Sequence, residues 1–203
     1  MFGNFRLLYY FGLEYVANNM SKIKGELVEN RIVVWDLEQS RNLFGEGFYG
    51  KPLGIAKPKG TDFNSPLILD LIEGYYLAKN NKLAIYKNNE RNLVSIKKMN
   101  VICKNEYADF DSKYLVFTEL RKVGYVVTPG IKFGCDFAVY EHGPGIDHAP
   151  YLVQVVKPDD MLTATAIILA GRLATTVRKQ FILAIPRLKE NKVEFVSFDW
   201  WRA

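Results

Sequence analysis

The sequence predicts an α/β (α+β) protein, with a small N-terminal α/β domain over residues 1–108 and a C-terminal domain over residues 109–203. Short runs of β-branched and aromatic residues, typical of strands, alternate with longer amphipathic stretches, typical of helices. A polar, charged segment at residues 100–111 interrupts this alternation near the middle of the chain. We therefore expect two compact units whose boundary lies near residue 108.

The composition is that of a folded protein. Hydrophobic residues make up 49% of the 203 residues and charged residues 24%, so the chain is able to bury a core. The formal net charge of +5 is a mild surplus and favours a polyanionic partner only modestly. Cys103 and Cys135 form no CxxC motif and only two histidines are present, so we expect no zinc site. We interpret the cysteines as reduced thiols of a cytoplasmic protein, with a disulfide as the alternative.

The N-terminal residues 1–16 are rich in aromatic and aliphatic side chains. They lack a strongly basic start, and Arg6 and Glu14 interrupt them, so we expect neither a signal peptide nor a membrane span. Residues 1–20 are interpreted as an extension of the first domain. Met20 is an alternative start, because the regular pattern begins just after it.

In the first half, residues 25–35 are predicted to form a strand–turn–strand unit, with Glu29 and Asn30 in the turn. The glycine-rich residues 44–51 predict a loop or tight turns, and they do not match a phosphate-binding loop because Pro52 follows Lys51. Ser65 and Pro66 predict a helix start. Two further strands are predicted at residues 83–86 and 93–96.

In the second half, Asp111 and Ser112 are predicted to cap a helix that Gly124 ends. A second helix, rich in Ala, Leu and Ile, is predicted at residues 163–179. Strands are predicted at residues 125–128, 136–140, 151–156, 181–185 and 193–200. The last of these carries Phe195 and Phe198, and an exposed apolar edge strand would favour oligomerisation.

Three polar residues lie at the ends of predicted elements in the second half. Tyr140 ends a strand, His148 follows a Gly-Pro-Gly turn, and Lys179 ends the long helix. Each has an ordinary explanation, namely packing for the tyrosine, a surface or capping role for the histidine, and the helix dipole for the lysine. They become candidates for one site because strand and helix ends are able to meet at one face of a sheet.

Three sequence blocks strengthen this hypothesis: Lys132-Phe133-Gly134-Cys135-Asp136-Phe137-Ala138-Val139-Tyr140, His148-Ala149-Pro150-Tyr151-Leu152-Val153, and Arg178-Lys179 followed by Phe181-Ile182-Leu183-Ala184. In order and spacing they resemble the catalytic subunits of archaeal tRNA-splicing endonucleases across residues 113–203. The first half resembles the family more loosely, through Phe48-Tyr49-Gly50-Lys51, Pro66-Leu67 and Glu73. The short loop between Tyr140 and His148 resembles the crenarchaeal branch.

The resemblance implies a restriction-endonuclease-like catalytic domain, with a mixed central sheet flanked by helices. It implies a tRNA-intron lyase that uses no metal or cofactor and cuts precursor tRNA at a bulge–helix–bulge motif, leaving 2′,3′-cyclic phosphate and 5′-hydroxyl ends. Tyr140 would act as general base on the RNA 2′-hydroxyl, His148 as general acid for the leaving oxygen, and Lys179 as the group that stabilises charge on phosphorus. A tyrosine is a poor base at neutral pH, and a nearby Lys179 would favour its phenolate.

The resemblance also implies three RNA-binding residues. Arg172 and Trp200 would stack on an extruded intron base, since both side chains are planar. Arg172 precedes Lys179 by seven residues, which predicts that both lie on one helix face. Lys51 would contact RNA from a loop of the first domain.

Two alternatives stay open. A metal-dependent DNA nuclease or Holliday-junction resolvase needs an acidic pair plus lysine, but Asp136 is followed on the next strand by Gln154 and by Lys157 at the wrong spacing. A non-catalytic structural subunit of the same endonuclease would lack the three candidate residues. The active assembly is expected to be a homo-oligomer or a heterotetramer with such a subunit.

Overall fold

The computed structural model describes residues 22–56, 58, 60–87 and 92–198. Within these residues the chain forms two mixed sheets and five α-helices, which confirms the α/β fold class. The predicted extension at residues 1–20 lies outside the described part of the chain. No helix in the described part is long and apolar enough to cross a membrane.

The first sheet has six strands in the order β3-β4-β2-β1-β5-β6. Its strands are β1 (Ile23–Val28), β2 (Arg31–Val34), β3 (Lys51–Pro52), β4 (Leu67–Leu69), β5 (Leu83–Lys87) and β6 (Asn92–Leu93). β1 and β5 are parallel, and the other pairs are antiparallel. The predicted hairpin of β1 and β2 is confirmed, and Glu29 adopts a left-handed φ of 52° in its turn.

The glycine-rich segment is not a loop throughout, because helix α1 (Leu37–Gly47) covers its first half. Asp36 caps this helix by accepting a hydrogen bond from the Gln39 N–H at 2.8 Å. Leu43 and Phe44 are almost fully buried. Glycine costs a helix about 1 kcal/mol, and burial of two large apolar side chains outweighs that cost.

The predicted helix start at Ser65 is also wrong. Leu67 and Leu69 are buried in strand β4, which pairs with β2, and helix α2 (Leu71–Lys79) begins only afterwards. Asp70 is its N-cap and forms a capping box with Glu73. The apolar residues from 67 to 78 therefore follow the period of two of a strand first and a helical period afterwards, so Ser65 and Pro66 precede a strand and not a helix.

The strand predicted at residues 93–96 is confirmed only at its start, in β6, which pairs with β5; helix α3 (Ile96–Glu106) begins at its last residue and covers most of the polar segment that follows. Ser95 caps it, and Met99 and Cys103 are fully buried on its inner face. Cys103 and Cys135 are not bonded to each other. The predicted boundary near residue 108 falls between α3 and the next helix and stays a prediction.

The second sheet has five strands in the order β11-β10-β9-β8-β7. Its strands are β7 (Val126–Pro129), β8 (Phe137–Tyr140), β9 (Tyr151–Val155), β10 (Gln180–Arg187) and β11 (Lys192–Ser197). β9 and β10 are parallel and the other pairs are antiparallel, so the sheet is mixed as predicted. Helices α4 (Phe110–Lys122) and α5 (Ala164–Thr176) pack on it. The N-cap of α4 is Asp109, not the predicted Asp111 and Ser112.

Strand alternation divides this sheet into two faces. Phe137, Val139 and Val153 join a core that also contains residues of α4 and of the first sheet. The intervening Ala138 and Leu152 join a second cluster with residues of α5. Helices therefore cover both faces, and the α5 face carries the candidate site.

Strand β11 lies at the edge of the sheet, where Phe195 is 45% exposed and Val196 is 41% exposed. Phe198 instead stacks on Phe181, with ring centroids 6.3 Å apart. The predicted apolar edge is therefore formed by Phe195 and Val196 rather than by both phenylalanines.

Candidate active site

Tyr140 is the last residue of β8 and lies on the α5 face of the second sheet. Its ring packs against the cluster that contains Ala138, Ala149 and Leu152. Burial raises the pKa of Tyr140, a hydrogen bond from Thr128 opposes this, and the charge of Asp147 adds to it. Lys179 was expected to lower the pKa of Tyr140, but the surroundings of Tyr140 raise it. Tyr140 is therefore a neutral phenol at neutral pH.

Lys179 does not lie in the last turn of a helix, contrary to the sequence prediction. Helix α5 ends at Thr176, and Arg178 adopts a left-handed φ of 55°. The Arg178 N–H donates to the Thr175 carbonyl at 3.0 Å, and the Lys179 N–H donates to the Ala174 carbonyl at 2.8 Å. These two bonds form a Schellman motif, which reverses the chain and places Lys179 immediately before β10.

The Lys179 ammonium group is held inside the site. Its Nζ donates a hydrogen bond to the Ala149 carbonyl and lies 5.2 Å from the centroid of the Phe133 ring. Burial lowers the pKa of Lys179, while the negative charge of Asp147 acts in the opposite direction. The cation is therefore shielded from water on one side and balanced by a carboxylate.

His148 is exposed, but both of its neighbours in the chain are anchored. Asp147 before it bonds to the backbone of the preceding loop, and the carbonyl of Ala149 after it accepts from Lys179. Pro150 next along accepts a 2.8 Å hydrogen bond from the Gln180 N–H. The histidine backbone is therefore fixed while its ring faces solvent.

The segment that leads to His148, residues 141–147, is here called the histidine loop. The Asp147 carboxylate accepts from the N–H groups of Glu141 and His142 at 3.1 Å each, and from that of Gly143 at 2.8 Å. Burial raises the pKa of Asp147, but these three N–H groups outweigh it, so that the pKa is lowered. Asp147 thus remains a carboxylate beside the candidate residues.

The structure brings the three predicted residues to one place. Tyr140 packs against the cluster that contains Ala149, the Ala149 carbonyl accepts from Lys179, and His148 directly precedes Ala149 in the sequence. The sequence reading missed Asp147. An aspartate at the end of a Gly-Pro-Gly loop is a local signal for such backbone bonding.

Arg172 is exposed on α5, and its carbonyl accepts from the Thr176 hydroxyl at 2.9 Å. Because Lys179 lies beyond the end of α5, the prediction that both lie on one helix face is wrong. Trp200, its predicted stacking partner, lies outside the described residues. The RNA-binding roles of both residues stay predictions.

Lys51 is exposed on β3, where it pairs with Ile68. The N–H of the preceding Gly50 donates to the buried Glu73 carboxylate at 3.0 Å, which fixes the backbone beside Lys51. Residues near Lys51 approach the histidine loop: a Cβ built on Gly143 would meet the Phe48 ring, and one built on Gly145 would meet the Pro58 carbonyl. The described contacts thus bring the segments flanking Lys51, though not its side chain, to the candidate site.

Asp136, the candidate metal ligand of the alternative hypothesis, is engaged by other groups. Its Oδ1 pairs with Lys113 Nζ at 2.8 Å, and its Oδ2 accepts from Gln154 Nε2 and from the Val155 N–H at 2.8 Å each. These bonds tie α4 and β9 to the start of β8, which is a structural role. Among the described residues, no cluster of three or more His, Cys, Asp or Glu forms a metal site.

Two domain models of one class of protein, the tRNA intron endonucleases, match the chain. The model of the catalytic C-terminal domain matches residues 110–195, and the model of the N-terminal domain matches residues 23–99. Similar proteins named tRNA-splicing endonuclease include one from Sulfurisphaera tokodaii, 43% identical over 87% of this chain and 97% of that protein. Those from Hyperthermus butylicus and Saccharolobus solfataricus are 42% and 37% identical, each over 88% of this chain and 98% of its own length.

The chain therefore belongs to the tRNA intron endonuclease family. These relatives come from crenarchaea, which confirms the crenarchaeal resemblance.

Proposed function

We propose that this chain is the catalytic subunit of a tRNA-splicing endonuclease and cuts precursor tRNA at its intron boundaries. Membership of the family supports an endoribonuclease of this kind. The observation that carries the proposal is the grouping of Tyr140, His148 and Lys179 around Ala149, at the end of the histidine loop. A structural subunit without catalysis would have no need of this grouping.

The reaction needs no external nucleophile, because RNA carries its own 2′-hydroxyl. The phenolate form of Tyr140 removes the proton from that hydroxyl, the freed 2′-oxygen attacks the adjacent phosphorus, and the bond from phosphorus to the 5′-oxygen breaks. His148 donates a proton to the departing 5′-oxygen. The products are a 2′,3′-cyclic phosphate and a 5′-hydroxyl, and no metal ion takes part.

The electrostatics of the site support the role of Lys179 and limit the fraction of Tyr140 that is able to act as base. The Lys179 ammonium lies beside the backbone that carries His148, where it would stabilise the extra negative charge on the phosphoryl oxygens. The raised pKa of Tyr140 keeps a proton on this residue at neutral pH. Only the minor phenolate fraction of Tyr140 is therefore able to act as base at neutral pH.

Substrate recognition is proposed to depend on RNA shape. In a bulge–helix–bulge RNA the bulged bases are able to leave the helix and stack on planar side chains, whereas paired bases are hidden in the deep groove of A-form RNA. Arg172 and Trp200 are the proposed stacking pair, and Lys51 is a proposed phosphate contact.

Assembly is proposed to use the exposed edge strand β11. Phe195 and Val196 are both about two-fifths exposed there, and an unpaired apolar edge favours pairing with another chain. The partner is either a second copy or a structural subunit.

The test is to incubate the full-length chain with an intron-containing precursor tRNA in excess EDTA and to identify the ends of the fragments. We expect cuts at both intron boundaries, with cyclic-phosphate and 5′-hydroxyl ends. Cleavage that requires added Mg²⁺ would support the metal-dependent nuclease instead. A lack of cleavage both with and without Mg²⁺, even after addition of a structural subunit, would contradict the proposal.

A further inference from the structure

We propose that Asp147 is a positioning residue, whose carboxylate holds the loop that presents His148 and sets the charge around Lys179. This inference rests on the proposed function, because positioning has a meaning only for a site that acts. It assigns to Asp147 a role that its surface location in a loop does not suggest.

The first argument is geometric. Both carboxylate oxygens of Asp147 are used by three consecutive backbone N–H groups, those of Glu141, His142 and Gly143. The Gly143 carbonyl in turn accepts from the N–H groups of Ile146 and Asp147 at 3.1 Å each. The loop is thereby closed on itself at the residue that precedes His148. An asparagine offers one acceptor oxygen in place of two, so it is unable to reproduce this arrangement.

The loop is also supported from outside. Phe48 packs against Gly143, and the Pro58 carbonyl lies against Gly145. On the far side of His148, Ala149 is almost fully buried and its carbonyl accepts from Lys179. Fixing the backbone on both sides of His148 narrows the positions from which its ring is able to meet the substrate, which favours general acid catalysis.

The second argument is electrostatic. The charge of Asp147 raises the pKa of Lys179 against the effect of burial, and it raises the pKa of Tyr140 in the same direction as burial. Asp147 therefore keeps protons on both residues. This favours the ammonium form of Lys179 that stabilises the transition state.

Other charged groups lie around this loop. His142 contributes to the lowered pKa of Asp147. The Nζ of Lys132 lies 6.0 Å from the centroid of the Phe133 ring, which Lys179 also contacts, and Glu141 accepts from the Tyr151 hydroxyl at 3.1 Å. Of these groups, Asp147 is the one whose charge raises the pKa of both Tyr140 and Lys179.

The test compares Asp147→Asn with Asp147→Glu in single-turnover cleavage of a bulge–helix–bulge RNA, in the assembly that is active with the wild-type chain. Asp147→Asn should cut at least about 10-fold more slowly, while its dissociation constant for the RNA stays within about twofold. Its pH–rate profile should move to lower pH, because loss of the charge lowers the pKa of both Tyr140 and Lys179. Asp147→Glu keeps the charge but misplaces it, so its rate should fall without a shift of the profile.

Asp160→Asn is the matched control, because Asp160 accepts a comparable 2.8 Å bond from the Lys157 N–H in a loop outside the site. The inference is overturned if Asp147→Asn cuts at the wild-type rate. It is also overturned if the rate falls only in step with thermal stability and the pH profile stays in place.

An NMR titration of Tyr140 and Lys179 in the full chain separates this inference from the proposed function, since it needs no cleavage. In Asp147→Asn the pKa of both residues should fall even if the chain proves inactive on RNA. Unchanged titrations would overturn the electrostatic role whatever the activity.

Discussion

Phe48 lies so close to Gly143 that a Cβ added to the glycine would stand 2.6 Å from the phenylalanine ring. Phe48 ends helix α1 of the first half, whereas Gly143 belongs to the histidine loop of the second. Arg121 of α4 supports this contact, because it donates to the Gly47 carbonyl at 2.7 Å and stacks on the Tyr49 ring at 4.2 Å. The first half is therefore part of the framework of the candidate site.

Gly143→Ala should slow cleavage by about 10-fold or more, because the new methyl group would displace either Phe48 or the histidine loop. The φ of Gly143 is +131°, which adds backbone strain for alanine. Single-turnover kinetics measures the effect. Gly124→Ala is the control, since Gly124 has a φ of +96° but nothing within 4 Å of an added Cβ. Equal activity of the two variants would show that the Phe48 contact does not position the loop.

Asp136→Asn should lower the free energy of unfolding by roughly 2–4 kcal/mol, because it leaves the largely buried Lys113 without its counter-charge. The side chain of Asp136 is 12% exposed and that of Lys113 is 22% exposed. Asp111→Asn breaks a 2.8 Å pair with Lys104 that is about half exposed, and should cost less than about 1 kcal/mol. Denaturant unfolding measures both. A stable Asp136→Asn variant whose lost cleavage returns at high Mg²⁺ would instead indicate a metal ligand.

Glu73 should make stability depend on pH. Burial raises its pKa to about 7, although the N–H groups of Gly50 and Asp70 and the charge of Arg121 act against this. The folded chain therefore binds this proton more tightly than the unfolded chain, and ionisation of Glu73 costs stability as the pH rises from about 4.5 to about 7.

The stability of the wild type relative to Glu73→Gln should accordingly fall by about 3 kcal/mol across that window. Urea unfolding at several pH values measures this difference. Glu190→Gln, in the exposed turn after β10, should show no such trend. A difference that stays constant or rises with pH would contradict the assignment.

Much of the fold was predictable where the signal is local. The strands of the second sheet follow from β-branched runs, and the hairpin of β1 and β2 follows from Glu29 and Asn30. Helix α1 was not predictable in this way, because its glycines argue against a helix and burial of Phe44 decides the outcome.

The candidate site was likewise predictable only where the signal is local. The sequence indicated Tyr140, His148 and Lys179, but it misplaced Lys179 on a helix. Schellman motifs usually carry glycine at the left-handed position, and here Arg178 occupies it. The contact of Phe48 with Gly143 joins residues nearly a hundred positions apart, so no local pattern predicts it.

Arg172→Ala should weaken cleavage of bulged RNAs without changing which bulge base is preferred, because stacking reads a ring face and not a base edge. Loss of stacking on one base corresponds to roughly 1–3 kcal/mol. A panel of bulge–helix–bulge RNAs with permuted bulge sequences, plus a fully paired control, measures this. Strict dependence on one bulge sequence, or equal cutting of the paired control, would contradict recognition by shape.

The central claim concerns the role of His148 as general acid. The sequence contains one other histidine, His142, which lies exposed in the histidine loop and serves as a matched control. His148→Ala should reduce the single-turnover rate by roughly 10²–10⁴-fold, because the acid acts in the transition state, while RNA binding changes little. His142→Ala should leave the rate nearly unchanged.

The most direct measurement is therefore the single-turnover cleavage of precursor tRNA in excess EDTA by the wild type, His148→Ala and His142→Ala. The account predicts that the wild type and His142→Ala both produce cyclic-phosphate ends at comparable rates, and that His148→Ala does not. Cleavage by His148→Ala at a near wild-type rate would contradict it.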